Sequence, residues 1–260
     1  MIGTEIYKMS GITNIKQYNF INPDKVDEWK LKIFGAGSIG SVLAVQAAKV
    51  GFKNIEVFDY DTVDEDNIGS QEFSIKHIGM KKTEAIQLLL QENYGVEISV
   101  IDGKIDENTE VTPENNTIYF CAFDSLEARK MLWDKMKAFP IVWGEARIGR
   151  DRQRYYFVDL RETNEKWLAE YEKLLDPNGP RTELSCGEKG TYPSNAEIVG
   201  KITRQLVNIA EGNPLTTMYI GRWGCGNAIY REPKVEVAAS EEPETTEEQT
   251  DDGSQNELEE

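Results

Sequence analysis

The stretch Leu31-Lys32-Ile33-Phe34-Gly35-Ala36-Gly37-Ser38-Ile39-Gly40 decides the fold. It opens as a short, mainly apolar strand and passes into a G-x-G-x-x-G turn. Ser41 to Val50 follows, with Val42, Val45 and Val50 set among alanines, a packed helical pattern that Gly51 stops. Between a strand and a helix, each glycine has a use. Gly35 permits the tight turn, Gly37 lets the backbone approach a phosphate, and Gly40 allows close helix–strand packing. A second strand, Asn54 to Phe58, ends on Asp59, 19 residues after Gly40. A carboxylate there can accept hydrogen bonds from ribose hydroxyls.

Downstream, strands and helices alternate. Tyr60 to Gly79 is too acidic and irregular for a strand, and Lys81 to Asn93 reads as a helix. Strands are expected at Glu97 to Ile101, Thr117 to Cys121 and Pro140 to Trp143, with a helix over Ser125 to Ala138. This rhythm predicts an α/β, Rossmann-like fold: a mostly parallel sheet with helices on both faces. Beyond Gly149 the pattern changes. Tyr155 to Leu160 reads as a strand with antiparallel partners, and Thr163 to Leu175 as a helix. Asp176 to Ser194, rich in Gly and Pro, reads as a long irregular loop, the kind usually tied to function. Asn195 to Glu211 is a helix, and Thr216 to Arg231 holds one or two short strands. The chain divides into an N-terminal extension (1–29), a nucleotide-binding domain (30–235) and an acidic tail (236–260).

The charge is uneven. The formal net charge is −17, from 46 acidic and 29 basic side chains in 260 residues. Ser240 to Glu260 contributes ten acids, no Lys or Arg, and Leu258 as its single large aliphatic residue. Such a segment buries too little surface to offset its ordering entropy and is expected to be a disordered, solubilising tail. The acidity argues against general binding to nucleic acid or anionic membranes, without opposing a local site for a small phosphate ligand. The three cysteines, Cys121, Cys186 and Cys225, form no C-x-x-C pair and suit a reducing compartment. With no signal-like or membrane-length apolar run, the chain is expected to be soluble and cytoplasmic.

The residues after the glycine turn narrow the nucleotide. Asp59-Tyr60-Asp61-Thr62-Val63, then Asn67 and Gln71, resembles the D-x-D-x-V…N-x-x-R-Q stretch of the ubiquitin-activating superfamily, whose bacterial members are the ThiF, MoeB and HesA types. Gly79-Met80-Lys81-Lys82 is similar to that family's G-x-x-K, and Asp124-Ser125 with Arg129 to its D-N-x-x-x-R. The likeness runs from Leu31 to about Gly144, and more faintly to Gly212. It implies an adenylyltransferase that uses ATP and Mg to activate the C-terminal carboxylate of a small ubiquitin-like or sulfur-carrier protein, and a homodimer. By the same resemblance Asp59 holds the ribose, Lys82 neutralises phosphate charge, Asp124 holds Mg, and Asn67 and Gln71 line the pocket. The plainer readings are that Lys82 is a solvated helix residue and Asp124 the N-cap of the helix starting at Ser125.

The sequence also departs from the family. Ser70 stands where N-x-x-R-Q has its arginine, so a bidentate cation is missing. Arg147, Arg150, Arg152 and Arg154 offer other positive charge, or sit on a hairpin surface paired with Glu145 and Asp151. Cys186, in Ser185-Cys186-Gly187, occupies a loop resembling the one where related enzymes carry a thioester-forming cysteine; it is a candidate nucleophile or an incidental thiol. The single histidine, His77, is read as a surface residue. Adenylyl transfer leads. A catalytically weakened nucleotide-binding partner subunit is the alternative, and an NAD-dependent oxidoreductase is the third reading.

Overall fold

The computed structural model describes residues 20–149, 152–162, 165–176, 190–223 and 228–231. The Gly-rich stretch folds as its pattern predicts. Strand β1 (Lys30–Phe34) is buried from Leu31 onward and leads into helix α2 (Gly40–Val50), whose C-cap Gly51 takes a left-handed conformation at φ +114°. Ahead of them, a short helix α1 (Pro23–Asp27) is capped by Asn22 and buries Val26, so these last residues of the N-terminal stretch pack onto the domain.

One sheet runs through the molecule in the order β3-β2-β1-β4-β5-β6-β7-β8. Strands β2 (Asn54–Asp59), β3 (Ser99–Asp102), β4 (Thr117–Cys121) and β5 (Val142–Gly149) are parallel to β1. Strands β6 (Arg152–Asp159), β7 (Met218–Arg222) and β8 (Ala228–Arg231) continue it antiparallel. Helices cover both faces. On one side α2, α3 (Lys82–Tyr94) and α6 (Tyr192–Glu211) share a core with Ile33, Val57, Ile118 and Phe157. On the other, α4 (Leu126–Met136) and α5 (Glu165–Leu174) pack Leu132, Trp133 and Tyr171 against Phe34, Trp143 and Tyr156. Among the described residues no helix is long and apolar enough to cross a membrane.

Several boundaries differ from expectation. Strand β5 does not stop at Trp143 but runs to Gly149. Gly144 is no breaker: a Cβ there would lie 2.6 Å from Phe157 and 2.7 Å from Phe120, so the glycine makes room for two rings. Helix α6 begins at Tyr192 rather than Asn195, because Pro193 sits in its first turn, where a missing N–H costs nothing. His77 is buried at 1% exposure, not on the surface; its Nδ1 accepts a hydrogen bond from the Ser74 N–H at 3.0 Å. Cys186, Cys225 and the acidic tail lie outside the described residues.

Candidate active site

The chain reverses direction across the sheet at β1, whose neighbours β2 and β4 leave it on opposite sides. In open α/β sheets a ligand crevice forms at such a switch point, beyond the carboxyl ends of the strands. The glycine turn fills this position. Gly35, at φ +105°, donates its N–H to Phe58 O at 2.7 Å, and a Cβ on it would lie 3.1 Å from Ala122 O. The turn is thereby held between the end of β2 and the end of β4. At Gly40 a Cβ would fall 1.7 Å from Gly35 O, so helix and turn touch backbone to backbone. At Gly37 nothing lies within 4 Å of a Cβ, and this glycine faces open space. Helix α2 has no side-chain cap and no acid in its first turn, which leaves its positive end available to an anion.

Asp59 ties this turn to the segment that follows. Its Oδ2 accepts from Ala36 N–H at 2.6 Å and its Oδ1 from Asp61 N–H at 2.7 Å, at 9% exposure. Residues 61–63 pair with 79–82 through Lys82 N–H to Asp61 O at 3.0 Å, Val63 N–H to Met80 O and Gly79 N–H to Val63 O, both 2.9 Å. That pairing sets the first turn of α3 beside the end of β2. Lys82 is therefore no solvated helix residue. It is 7% exposed, and its Nζ lies 3.0 Å from Asp61 Oδ2.

On the other flank Ser125, not Asp124, caps α4, accepting from Ala128 N–H at 3.2 Å. Asp124 is exposed, just past the end of β4. Arg129, which follows it in the motif, is buried and reaches inward: Nη1 donates to Ala146 O at 2.8 Å and sits 3.5 Å from the fully buried Glu145. Glu145 also pairs with Arg147 at 2.6 Å. Arg147 and Arg154 are accordingly not simple surface charges, and the first is committed to an acid inside the sheet.

The loop carrying Asn67, Ser70 and Gln71 is buried as well. Asn67 closes a 3₁₀ turn by accepting from Asp64 N–H at 3.3 Å, so its oxygen is used locally. Gln71 Oε1 is buried with no hydrogen-bond partner, an acceptor that a ligand hydroxyl or water would satisfy. Ser70 O accepts from Asn195 Nδ2 at 2.9 Å, and Tyr192 OH donates to Glu72 at 2.7 Å. The first turn of α6 thus backs this wall. Ser41 joins it to the glycine turn: its Oγ donates to Gly37 O at 2.7 Å and accepts from Glu72 N–H at 3.2 Å. Ser41, Tyr192 and Asn195 carry no local motif; their partners in the 70–72 segment lie 31 to 125 residues away, beyond the reach of pattern reading.

The glycine turn, Asp59, Asp61 and buried Lys82 are joined by direct contacts at the end of β2, Asp124 is exposed just past the end of β4, and residues 13–212 match the ThiF family model. The chain belongs to the ThiF family. It is 29% identical over 195 residues to a molybdopterin-synthase adenylyltransferase of Haemophilus influenzae, covering 72% of this chain and 76% of that one. It is 28% identical to the NEDD8-activating enzyme E1 catalytic subunit of Caenorhabditis elegans, a match covering 43% of this chain but 26% of that protein. The ThiF fold is matched by solved structures too. The crystal structure of selenomethionine PaaA aligns with a TM-score of 0.64 at 15% identity, covering 84% of this chain and 68% of that one. Escherichia coli MccB with ATP gives 0.62 at 17%, covering 81% and 65%.

Proposed function

We propose that this ThiF-family protein is an ATP-dependent adenylyltransferase that activates the C-terminal carboxylate of a small ubiquitin-like or sulfur-carrier protein. The observation that supports the reading is the double hold of Asp59 on Ala36 and Asp61, which ties the glycine turn to the segment whose Asp61 pairs with buried Lys82. Membership of the family and the adenylyltransferase name of the Haemophilus relative support it.

In the reaction a carboxylate oxygen of the carrier attacks the α-phosphorus of ATP. The Pα–O bond to the β-phosphate breaks, giving an acyl-adenylate and pyrophosphate. Gly37 lets the phosphates approach the backbone at the α2 N-terminus, where oriented N–H groups meet negative charge. Lys82, turning from Asp61 to the phosphates, offsets charge as it builds on the leaving pyrophosphate. Asp59 accepts from the ribose hydroxyls with lone pairs left over from Ala36 and Asp61. Among the described residues no group of three or more His, Cys, Asp or Glu forms a metal cage. Mg takes one or two carboxylates and completes its shell with water and substrate phosphates. Asp124 is the carboxylate that fits, and the ion would add electrostatic neutralisation of the phosphates there.

Cys186 enters the proposal as the thiol that takes over the acyl group as a thioester, displacing AMP. In the sequence it lies four residues before Gly190 and six before the start of α6. The family's homodimer is likewise carried over as an expectation for the assembly.

Ser70 favours a second reading. It is buried, with its carbonyl engaged by Asn195, and it supplies no cation where the family motif has arginine. A nucleotide-binding subunit that no longer adenylates fits this feature. ATP–pyrophosphate exchange with candidate carriers separates the two: exchange abolished by Asp124→Ala supports the enzyme, and ATP binding without exchange supports the subunit.

A further inference from the structure

We infer that Arg129 and Glu145, a buried ion pair between α4 and β5, are positioning residues that hold Asp124 in place beyond the end of β4. Asp124 is exposed, three residues past Cys121, the last residue of that strand. Cys121 stands opposite Glu145 in the register, and β5 continues to Gly149 past this last β4 pairing. Ala146 is the first residue beyond it. Its carbonyl accepts from Arg129 Nη1 at 2.8 Å, a side chain of α4 meeting β5 where β4 has ended. One turn of helix connects this anchor to the carboxylate. The Arg129 N–H donates to Ser125 O at 3.1 Å, and Ser125 directly follows Asp124.

The pair is poorly built for stability. Glu145 is fully buried, its Oε2 lies 3.5 Å from Arg129 Nη1, and among the described residues that oxygen accepts no hydrogen bond. Burying two charges costs about as much as such a loose pair returns, and packed apolar side chains often do as well. Glu145 is also shared. Its other oxygen meets Arg147 at 2.6 Å, and Arg147 Nη1 donates to Leu174 O at 3.1 Å, at the end of α5. Arg129 is thus a second guanidinium on one carboxylate, and its removal leaves a matched Glu145–Arg147 pair. What Arg129 adds is location. Its planar fork reaches two points on β5, the Ala146 carbonyl and the Glu145 carboxylate, and so fixes how the first turn of α4 is rotated against the sheet.

Asp124 needs that location. Mg demands near-octahedral geometry with short bonds, so a carboxylate displaced by about an ångström is a poor ligand for it. The flanks of Asp124 are tied to the sheet and to the helix: the Ala122 N–H donates to Phe34 O at 2.8 Å, and Ser125 Oγ accepts from the Ala128 N–H at 3.2 Å. Arg129 links the second of these ties to β5. The metal role of Asp124 rests on the adenylation reading, whereas the anchoring by Arg129 does not.

The test uses the full chain and its R129M, D124N and R129M/D124N variants. Hydrogen exchange of the 122–126 amides, followed by mass spectrometry without metal, is expected to be about tenfold faster in R129M, with the melting temperature nearly unchanged. Binding of a fluorescent ATP analogue is then titrated with Mg. R129M and D124N are each expected to need about tenfold more Mg for half-saturation, the scale seen when a residue that orients a metal ligand is lost. The double variant is expected to need no more than either single one, because the same ligand is lost once. R129K, which keeps the charge, falls between the wild type and R129M and takes its place if R129M does not fold. Unchanged exchange at 122–126 overturns the proposal, as do Mg requirements that multiply in the double variant or that rise in D124N alone. A wild-type Mg requirement in D124N overturns instead the metal role of Asp124 and the adenylation reading built on it, and exchange in R129M still decides the anchoring.

Discussion

The Ala36 N–H donates to Asp59 Oδ2 across a buried 2.6 Å hydrogen bond, joining the glycine turn to the end of the neighbouring strand. Removing the carboxylate strands both Ala36 and Asp61 N–H groups. Asp59→Ala is expected to cost about 1–3 kcal/mol of stability, the penalty for leaving the buried Ala36 donor unsatisfied, and to abolish ATP binding. Urea unfolding and calorimetric titration check the two effects. Asp59→Asn keeps the shape but turns one donor toward another, and should fall between.

The glycines separate fold from function. Gly40→Ala drives a Cβ into Gly35 O and is expected to cost about 3 kcal/mol or more. Gly37→Ala meets nothing within 4 Å and should leave the melting temperature nearly unchanged while weakening ATP binding at least tenfold. If both variants melt like the wild type, Gly40 does not pack against the Gly35 carbonyl as closely as its 1.7 Å Cβ approach requires.

Lys82 and Asp61 form an ion pair at 3.0 Å, and the proposed role of Lys82 requires it to leave Asp61 for the phosphates. Lys82→Ala should lower pyrophosphate exchange by about a hundredfold or more, the scale seen when a group aimed at developing charge is removed. Asp61→Asn leaves Lys82 charged with a weaker resting partner. Its effect should appear mainly as altered ATP affinity, read by titration.

His77 makes the loop ahead of α3 sensitive to acid. Burial, reinforced by the neighbouring Lys76, lowers its pKa below the ordinary 6.5, and its Nδ1 must stay unprotonated to accept from Ser74. The unfolded chain therefore takes up this proton before the folded one does. The contribution is fully present above pH 6.5 and is lost as pH falls through the lower folded value. Thermal melts between pH 5 and 8 should show this loss in the wild type and a flatter profile in His77→Gln.

Burial pushes the Cys121 thiol up to about 12, so it stays protonated at neutral pH. Native alkylation at pH 8 should leave Cys121 unmodified until denaturant is added. Cys186, as an acyl acceptor, is expected to label first, and Cys186→Ser should block thioester formation while exchange persists.

Much of this was legible because local and global signals agree along residues 31–59: apolar strand, glycine turn, helix, and an acid at the next strand end. What escaped was non-local. Gly144 looks like a strand terminator in sequence, yet it is a space for Phe120 and Phe157 brought in from two other strands. Pro193 looks like loop punctuation, yet it opens a helix. The backing of Ser70 by Asn195 joins residues 125 apart, which no periodicity announces. His77 misled because polar residues in loops are usually exposed, whereas its ring closes a turn on Ser74 and meets Phe73 edge-on.

Helix α6 holds the Ser70–Glu72 segment at its first turn, and at its last residue Glu211 accepts from the Asn22 N–H at 2.7 Å and from Lys25 at 3.3 Å. Twenty residues of helix make a strut of about 30 Å. A load applied to the polypeptide ahead of β1 is therefore delivered along a stiff axis to Ser70 and Glu72.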